Sequence, residues 1–255
     1  MADLTGKTAL VTGASRGIGR GIARRLAADG ALVAVHYGSN DTAAKETVTA
    51  IEHAGGAAFP VKAPLGVDGD VETLLTGLKA GLDGRPLDIL VNNAGSGGPG
   101  SLTMATPATF DETFAVNVRA PFFLLQQALP LLNDGGRVVL ISSSITRMPL
   151  PAALVYGMTK GALEMLGRTL AIPLGQRQIT VNVVSPGVTD TDLIAPVREQ
   201  PGIIEALSAS IALGRIGQPA DIADAVALLV SDDGRWITGQ VIEVSGGANI
   251  GVMGV

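Results

Sequence analysis

A phenol and an amine stand one helical turn apart in this chain. They are Tyr156 and Lys160, within VYGMTKGALEMLGR from Val155 to Arg168. On an α-helix, side chains four positions apart lie on one face. A tyrosine alone titrates at about 10, and a fixed ammonium nearby favours the phenolate. The pair is therefore suited to passing a proton near neutral pH, with the Tyr156 phenol expected below its ordinary range. A second stretch, Gly13-Ala-Ser-Arg-Gly-Ile-Gly19, suits anion binding. Glycines permit a tight turn and a close backbone approach. A helix starting there offers unpaired N–H groups and a positive dipole end to a pyrophosphate. An aromatic and a lysine sharing a helix, or a glycine turn without a ligand, are ordinary features when met alone. The surrounding elements decide.

Thr8 to Thr12 is a β-prone run, Ile18, Ile22 and Leu26 recur at helical spacing before Gly30, and Ala31 to Val35 reads as a second strand. Strand, glycine turn, helix and strand make one βαβ unit. Further strands are predicted over Ala57 to Lys62, Leu87 to Val91, Arg137 to Ile141, Ile179 to Val184 and Gln240 to Val244. Helices are predicted over Asp41 to Ala54, Asp70 to Leu82, Thr109 to Leu132 (with Pro121 at a kink), the Tyr156 stretch, and Asp221 to Leu229. Strands alternate with helices, and several strands are wholly apolar. That predicts an α/β chain: one domain over 1–255, with a single doubly wound, mostly parallel sheet (a Rossmann fold) and helices on both faces. The glycine turn, Asn92-Asn93-Ala94-Gly95, Ser143 and Pro186-Gly187 then all fall at strand ends lining one crevice. Ser143 lies thirteen residues before Tyr156 and can enter it. The segment 189–214 is expected to be a mobile lid, with Leu193, Ile194, Ile203, Ile204, Leu207 and Ile211 as an apolar wall opposite Met148, Leu150 and Leu154.

Composition removes several classes. Of 255 residues, 47% are hydrophobic and 16% charged, enough to bury a large core. A net charge of −5 without a basic cluster argues against nucleic acid. No apolar run approaches the roughly 18 residues of a membrane span. The opening Met-Ala-Asp-Leu-Thr lacks the layout of a signal peptide, so the expectation is cytoplasmic. With no cysteine and two histidines, His36 and His53, no metal site is expected.

Six motifs now stand in register: Thr12-Gly-Ala-Ser-Arg-Gly-Ile-Gly19, Asn92-Asn-Ala-Gly95, Asn117 within Phe-Ala-Val-Asn-Val, Ser143, Tyr156-x-x-x-Lys160 and Pro186-Gly187. In this the chain closely resembles the short-chain dehydrogenase/reductase family, from about Leu4 to Gly247. It looks most like the 3-oxoacyl-acyl-carrier-protein reductase and ketoreductase branch. The resemblance implies a catalytic tetrad. Tyr156 would be the proton donor in reduction, and Lys160 would tune it and hold the nicotinamide ribose. Ser143 would bind the substrate carbonyl, and Asn117 would hold a water linking Lys160 to solvent. Cofactor contacts implied are Gly13, Ser15, Arg16, Gly17, Ile18, Gly19, His36, Tyr37, Ser39, Asn40, Leu65, Asn93, Ala94, Gly95, Tyr156, Lys160, Pro186, Gly187, Thr189 and Thr191.

NAD-binding relatives place an acid at the end of the second strand. Here His36 takes that place, followed by Tyr37-Gly38-Ser39-Asn40, and Arg16 can reach a 2′-phosphate. NADP(H) is the expected cofactor. Pro64 stands where many relatives carry an adenine-contacting aspartate, leaving Leu65, Asp68 and Asp70 as candidates near adenine. Arg147 and Arg198 are the basic residues that could meet a phosphopantetheine, or else are solvated charges. The expected substrate is a small or carrier-bound carbonyl compound. The alternatives are a sugar or steroid alcohol dehydrogenase and a dinucleotide sensor without turnover. The resemblance also implies a homodimer or homotetramer, joined through the helices carrying Phe110, Phe114, Phe122, Phe123, Leu125, Leu163 and Leu166.

Overall fold

Short runs of Val, Ile, Leu and Ala make stable strands when both faces are covered, and the sheet follows that rule. β1 (Thr8–Val11), β4 (Leu87–Asn92) and β6 (Thr180–Pro186) are buried along their whole length, whereas β3 (Ala57–Lys62) is exposed in places. With β2 (Leu32–Tyr37), β5 (Leu132–Ile141) and β7 (Val241–Val244) they form one parallel sheet in the order β3-β2-β1-β4-β5-β6-β7. The computed structural model describes residues 2–97, 100–198, 200–248 and 250, with Leu193, Pro196 and Val197 by backbone alone.

Successive strand residues point to opposite faces, so the sheet carries two cores. On one face Ala9, Val11, Val33, Val35 and Val91 pack against Ile22 and Leu26 of α1 (Gly17–Ala28), Ile51 of α2 (Asp41–His53), and Ile222 and Val226 of α9 (Pro219–Val230). On the other, Leu10, Ala34, Leu90, Val138 and Val183 meet α3 (Asp70–Leu82), α5 (Ala120–Ala128) and α6 (Leu154–Leu174). Each such Leu or Ile, fully buried, stabilises the fold by about 1.5–3 kcal/mol. The sheet order turns back between β1 and β4, which opens a crevice at the C-terminal strand ends.

The helix expected over Thr109 to Leu132 is broken. α4 (Pro107–Phe114) passes into a π turn over Ala115–Arg119 before α5, and Leu132 already belongs to β5. Pro121 has no N–H for the carbonyl of Asn117 four residues earlier. The chain inserts a wider turn there, closed by Ala120 N–H donating to the carbonyl of Ala115. β5 starts early because Leu132 pairs with Leu87 ahead of a register shift, a long-range contact. β2 runs on to Tyr37 because His36 and Tyr37 pair with Val61 and Lys62 of β3. The segment 189–214 folds into a 3₁₀ turn at Asp192–Ile194, α7 (Ala195–Arg198) and α8 (Ile203–Ala209). Among the described residues, no helix is long and apolar enough to cross a membrane.

Candidate active site

The glycine turn is built as much by β4 as by β1. The Thr12 hydroxyl accepts from the N–H groups of Asn93 and Ala94, both at 2.9 Å. The Asn93 amide donates to the carbonyls of Thr12 at 2.8 Å and Gly13 at 3.2 Å. Asn93 thus staples two strand ends together. Gly19 sits over this staple: a Cβ there would lie 2.3 Å from Gly13 O and 2.4 Å from Asn93 Nδ2. Arg20 holds the carbonyl of Ser15 with Nε at 3.0 Å and Nη2 at 2.7 Å. α1 begins at an N-cap, Arg16, that makes no side-chain cap bond, and its first turn holds no acid. Its first N–H groups therefore have no side-chain partner of the kind that usually satisfies them. A cradle that a Cβ would fill, ending in an uncapped helix start, fits a dinucleotide pyrophosphate.

His36 departs from expectation. It is 2% exposed. Its Nδ1 accepts from Gly13 N–H at 3.1 Å, and Nε2 lies 2.9 Å from the Ala63 carbonyl, which can only accept. Burial pushes its pKa down to about 4 and keeps the ring neutral. Both nitrogens are committed to the backbone, so His36 borders the cavity without a hydrogen bond left for a ribose. The polar groups on that side are Arg16, Ser39 and Asn40, with Asn40 Oδ1 also capping α2 through Ala43 N–H at 3.0 Å. Tyr37 donates its hydroxyl to Asp41 at 2.8 Å, and Asp41 is paired with Lys62 at 2.9 Å. Asp70 does not line the cavity: its oxygens accept from Gly66 N–H and Val71 N–H, each at 2.7 Å, and so shape the loop that carries Leu65. Asp68 instead faces Arg119 at 3.9 Å.

α6 presents Tyr156 and Lys160 to the same crevice. Lys160 is 3% exposed, and its Nζ donates to the Ile141 carbonyl at 2.9 Å. Desolvation lowers its pKa to about 8. Nζ lies 5.4 Å from the centroid of the Tyr156 ring. The Tyr156 phenol is raised above its ordinary value, not lowered: burial is the larger cause, and the nearby Ser143 side chain works against it. The net lowering expected from Lys160 is not seen: burial is the larger effect on the phenol, and the ammonium donates to the Ile141 carbonyl. Ser143 opens a short 3₁₀ turn, its Oγ accepting from Ile145 N–H at 3.3 Å.

Asn117 is fully buried and lies behind the cavity. Its Nδ2 donates to the Ser96 carbonyl at 2.9 Å and to Thr159 Oγ1 at 3.1 Å, while Oδ1 accepts from Ser96 N–H at 2.8 Å. These bonds lock the loop after β4 to α6. A Cβ on Gly95 would sit 3.3 Å from Asn117 Oδ1 and 3.4 Å from Lys160 Nζ, which is how closely these three residues converge.

One cavity of about 1300 Å³ is lined by all the remaining expected residues, from Gly13, Ser15, Arg16, Gly17, Ile18 and Gly19 through Leu65, Ala94, Gly95 and Ser143 to Pro186, Gly187, Thr189 and Thr191. Met148, Leu150, Ile194, Leu207 and Ile211 also line it, whereas Leu154, Ile203 and Ile204 do not. The Leu193 side chain lies outside the described residues. Arg147 is held by Glu243 at 2.9 Å, Arg198 is paired with Asp190, and neither lines the cavity. Sequence reading missed Ser96 and Glu164, and had Thr12 only as the start of the glycine motif. Glu164 accepts from Ser142 Oγ at 3.1 Å and Thr146 Oγ1 at 2.7 Å, bracketing Ser143. Its one signal was its place four residues after Lys160, on the same helix face.

With this geometry in hand, known proteins align closely. A family model described as Enoyl-(Acyl carrier protein) reductase matches residues 13–249. The crystal structure of the angucycline C-6 ketoreductase LanV with bound NADP superposes with a TM-score of 0.93, at 51% identity over 98% of each chain. The reductase LugOII, which carries out keto-reduction at C1 during lugdunomycin biosynthesis, gives 0.93 at 50% identity over 98% of this chain and all of its own (100%). Tetrahydroxynaphthalene reductase of Pyricularia oryzae is 40% identical over 259 residues, covering 97% of this chain and 91% of that protein. The chain belongs to the short-chain dehydrogenase/reductase family, and its relatives are ketoreductases.

Proposed function

We propose that this protein reduces the carbonyl of a free, uncharged, flat apolar ketone with NADPH, Tyr156 giving the proton. The observation that carries the reading is that Ser143, Tyr156 and Lys160 line the same cavity as the uncapped glycine-turn helix. A ketone oxygen in this cavity would accept from both the Ser143 and the Tyr156 hydroxyl. Tyr156 then passes its proton to that oxygen as charge develops there, and Ser143 stabilises the charge. The Lys160 ammonium, fixed on Ile141, favours the phenolate left behind. Glu164 keeps Ser142 and Thr146, and with them Ser143, in place. When bound in the glycine-turn half of the cavity, NADPH supplies the hydride. Arg16, Ser39 and Asn40 are the groups suited to its 2′-phosphate. The segment 189–214 is the cover, with Leu207 and Ile211 on the cavity side.

The substrate half supports an aromatic ketone over a carrier-bound thioester. Ile145, Met148, Pro149, Leu150, Leu207 and Ile211 wall it, and the two arginines suited to a phosphopantetheine are engaged by carboxylates. LanV and tetrahydroxynaphthalene reductase carry names of fused-ring substrates. The test is absorbance loss of NADPH against fused-ring ketones and quinones, β-keto thioesters free and carrier-bound, and sugars. Turnover with the thioesters alone sinks the aromatic reading, and tight NADPH binding with no turnover anywhere favours a sensor.

Arg16→Ala should weaken NADPH binding about tenfold or more while leaving NADH unchanged, since one charge-assisted contact to the 2′-phosphate is worth about 1.5–3 kcal/mol. Equal losses for both dinucleotides in a titration would remove Arg16 from that role.

Assembly is the last part of the proposal. Leu125 and Leu163 point inward, but Phe122, Phe123, Met158, Met165 and Ile172 are exposed, the last three seven residues apart on one side of α6. Such a stripe suits a copy of the same chain. Light scattering at micromolar concentration should give a dimer or tetramer, and a monomer would contradict it.

A further inference from the structure

We infer that His36 is the positioning residue of the dinucleotide cradle, setting the spacing between the glycine turn and the loop after β3. The inference rests on the reading of this cavity as a dinucleotide site.

The main-chain ladder between β1 and β2 ends at Val11↔Val35, so on the β2 side the paired strands themselves do not hold the turn that follows. His36 takes over. Its carbonyl accepts from Ala14 N–H at 2.8 Å and its Nδ1 from Gly13 N–H at 3.1 Å, so one residue secures two successive N–H groups of the turn. On the other side Nε2 meets the Ala63 carbonyl at 2.9 Å, at the point where β3 ends. A single buried ring thus joins the C-terminal ends of three adjacent strands. Its tautomer is set by partners that cannot exchange roles: a backbone N–H only donates, and the Ala63 carbonyl only accepts. Gly13, Ala63 and Leu65 all border the cavity, so a shift of either ring bond moves a wall of the cradle.

The two bonds can be removed separately. In His36→Asn the amide oxygen stands near the Nδ1 position and keeps the Gly13 bond. In His36→Gln the amide nitrogen reaches the Nε2 position and keeps the Ala63 bond. His36→Phe keeps the ring volume and loses both. Amide exchange of Gly13 in the ligand-free protein should accelerate in the Phe and Gln variants and stay slow in Asn. The NADPH dissociation constant should rise about tenfold or more in the Phe variant and recover in part in Asn, because two buried backbone groups lose their partners. At saturating NADPH, kcat should stay within about twofold, since the reacting groups are untouched. Should the Phe variant not fold, the Asn and Gln pair carries the same comparison. A Phe variant that binds NADPH within about twofold of the parent overturns the inference alone. A parent protein that binds neither NADPH nor NADH overturns the dinucleotide reading itself, and the exchange rates then still report whether the clamp exists.

Discussion

Tyr156→Phe is expected to lower kcat for ketone reduction by about 10³-fold, in the range for removal of a positioned general acid. NADPH affinity should change little. The ring and its packing remain, and only the hydroxyl is lost. Stopped-flow turnover together with a fluorescence titration of NADPH measures both. Activity within a few-fold of the parent would unseat Tyr156. The pH profile carries the same argument further. Buried Lys160 titrates at about 8, well below a free lysine, so it is charged below that pH and neutral above it. Its charge is what favours the phenolate formed by proton transfer. In the parent, kcat/KM should therefore fall as pH rises through about 8, a limb belonging to the free protein. A profile flat from pH 6 to about 9.5 would show that the ammonium has no part in the step.

Among the glycines of the described residues, Gly19→Ala should be the most damaging. The new Cβ would lie 2.3 Å from a backbone oxygen, Gly13 O, which cannot step aside, and 2.4 Å from Asn93 Nδ2. Overpacking ordinarily costs about 1–3 kcal/mol, and a backbone clash lies at or above the top of that range. For a chain of this size that is a drop of about 10 °C in Tm. Moving Asn93 also breaks the staple between β1 and β4, so NADPH binding should be lost before the fold is. Calorimetry and a cofactor titration on the same sample test this. A variant with unchanged Tm and affinity would mean the turn is looser than its geometry implies.

Much of this molecule was legible from local pattern. The bounds expected for the third strand, Ala57 to Lys62, and the third helix, Asp70 to Leu82, are those of the structure, because apolar period and turn residues act over a few positions. The Tyr156–Lys160 spacing placed two groups on one helix face, and the strand-end motifs placed the rest along one crevice. Tertiary structure alone decided what those groups are like. Tyr156 is raised because the fold buries it. Asn117 is committed to Ser96 and Thr159, 21 and 42 residues away in sequence. The kink expected at Pro121 was legible, though not its form as a π turn between two helices. His36 bonds to Gly13 and Ala63, 23 and 27 residues from it. Hydrogen bonding and desolvation depend on which atoms meet in space and how much water remains. A one-dimensional pattern encodes which face a side chain takes, but not which partner waits there.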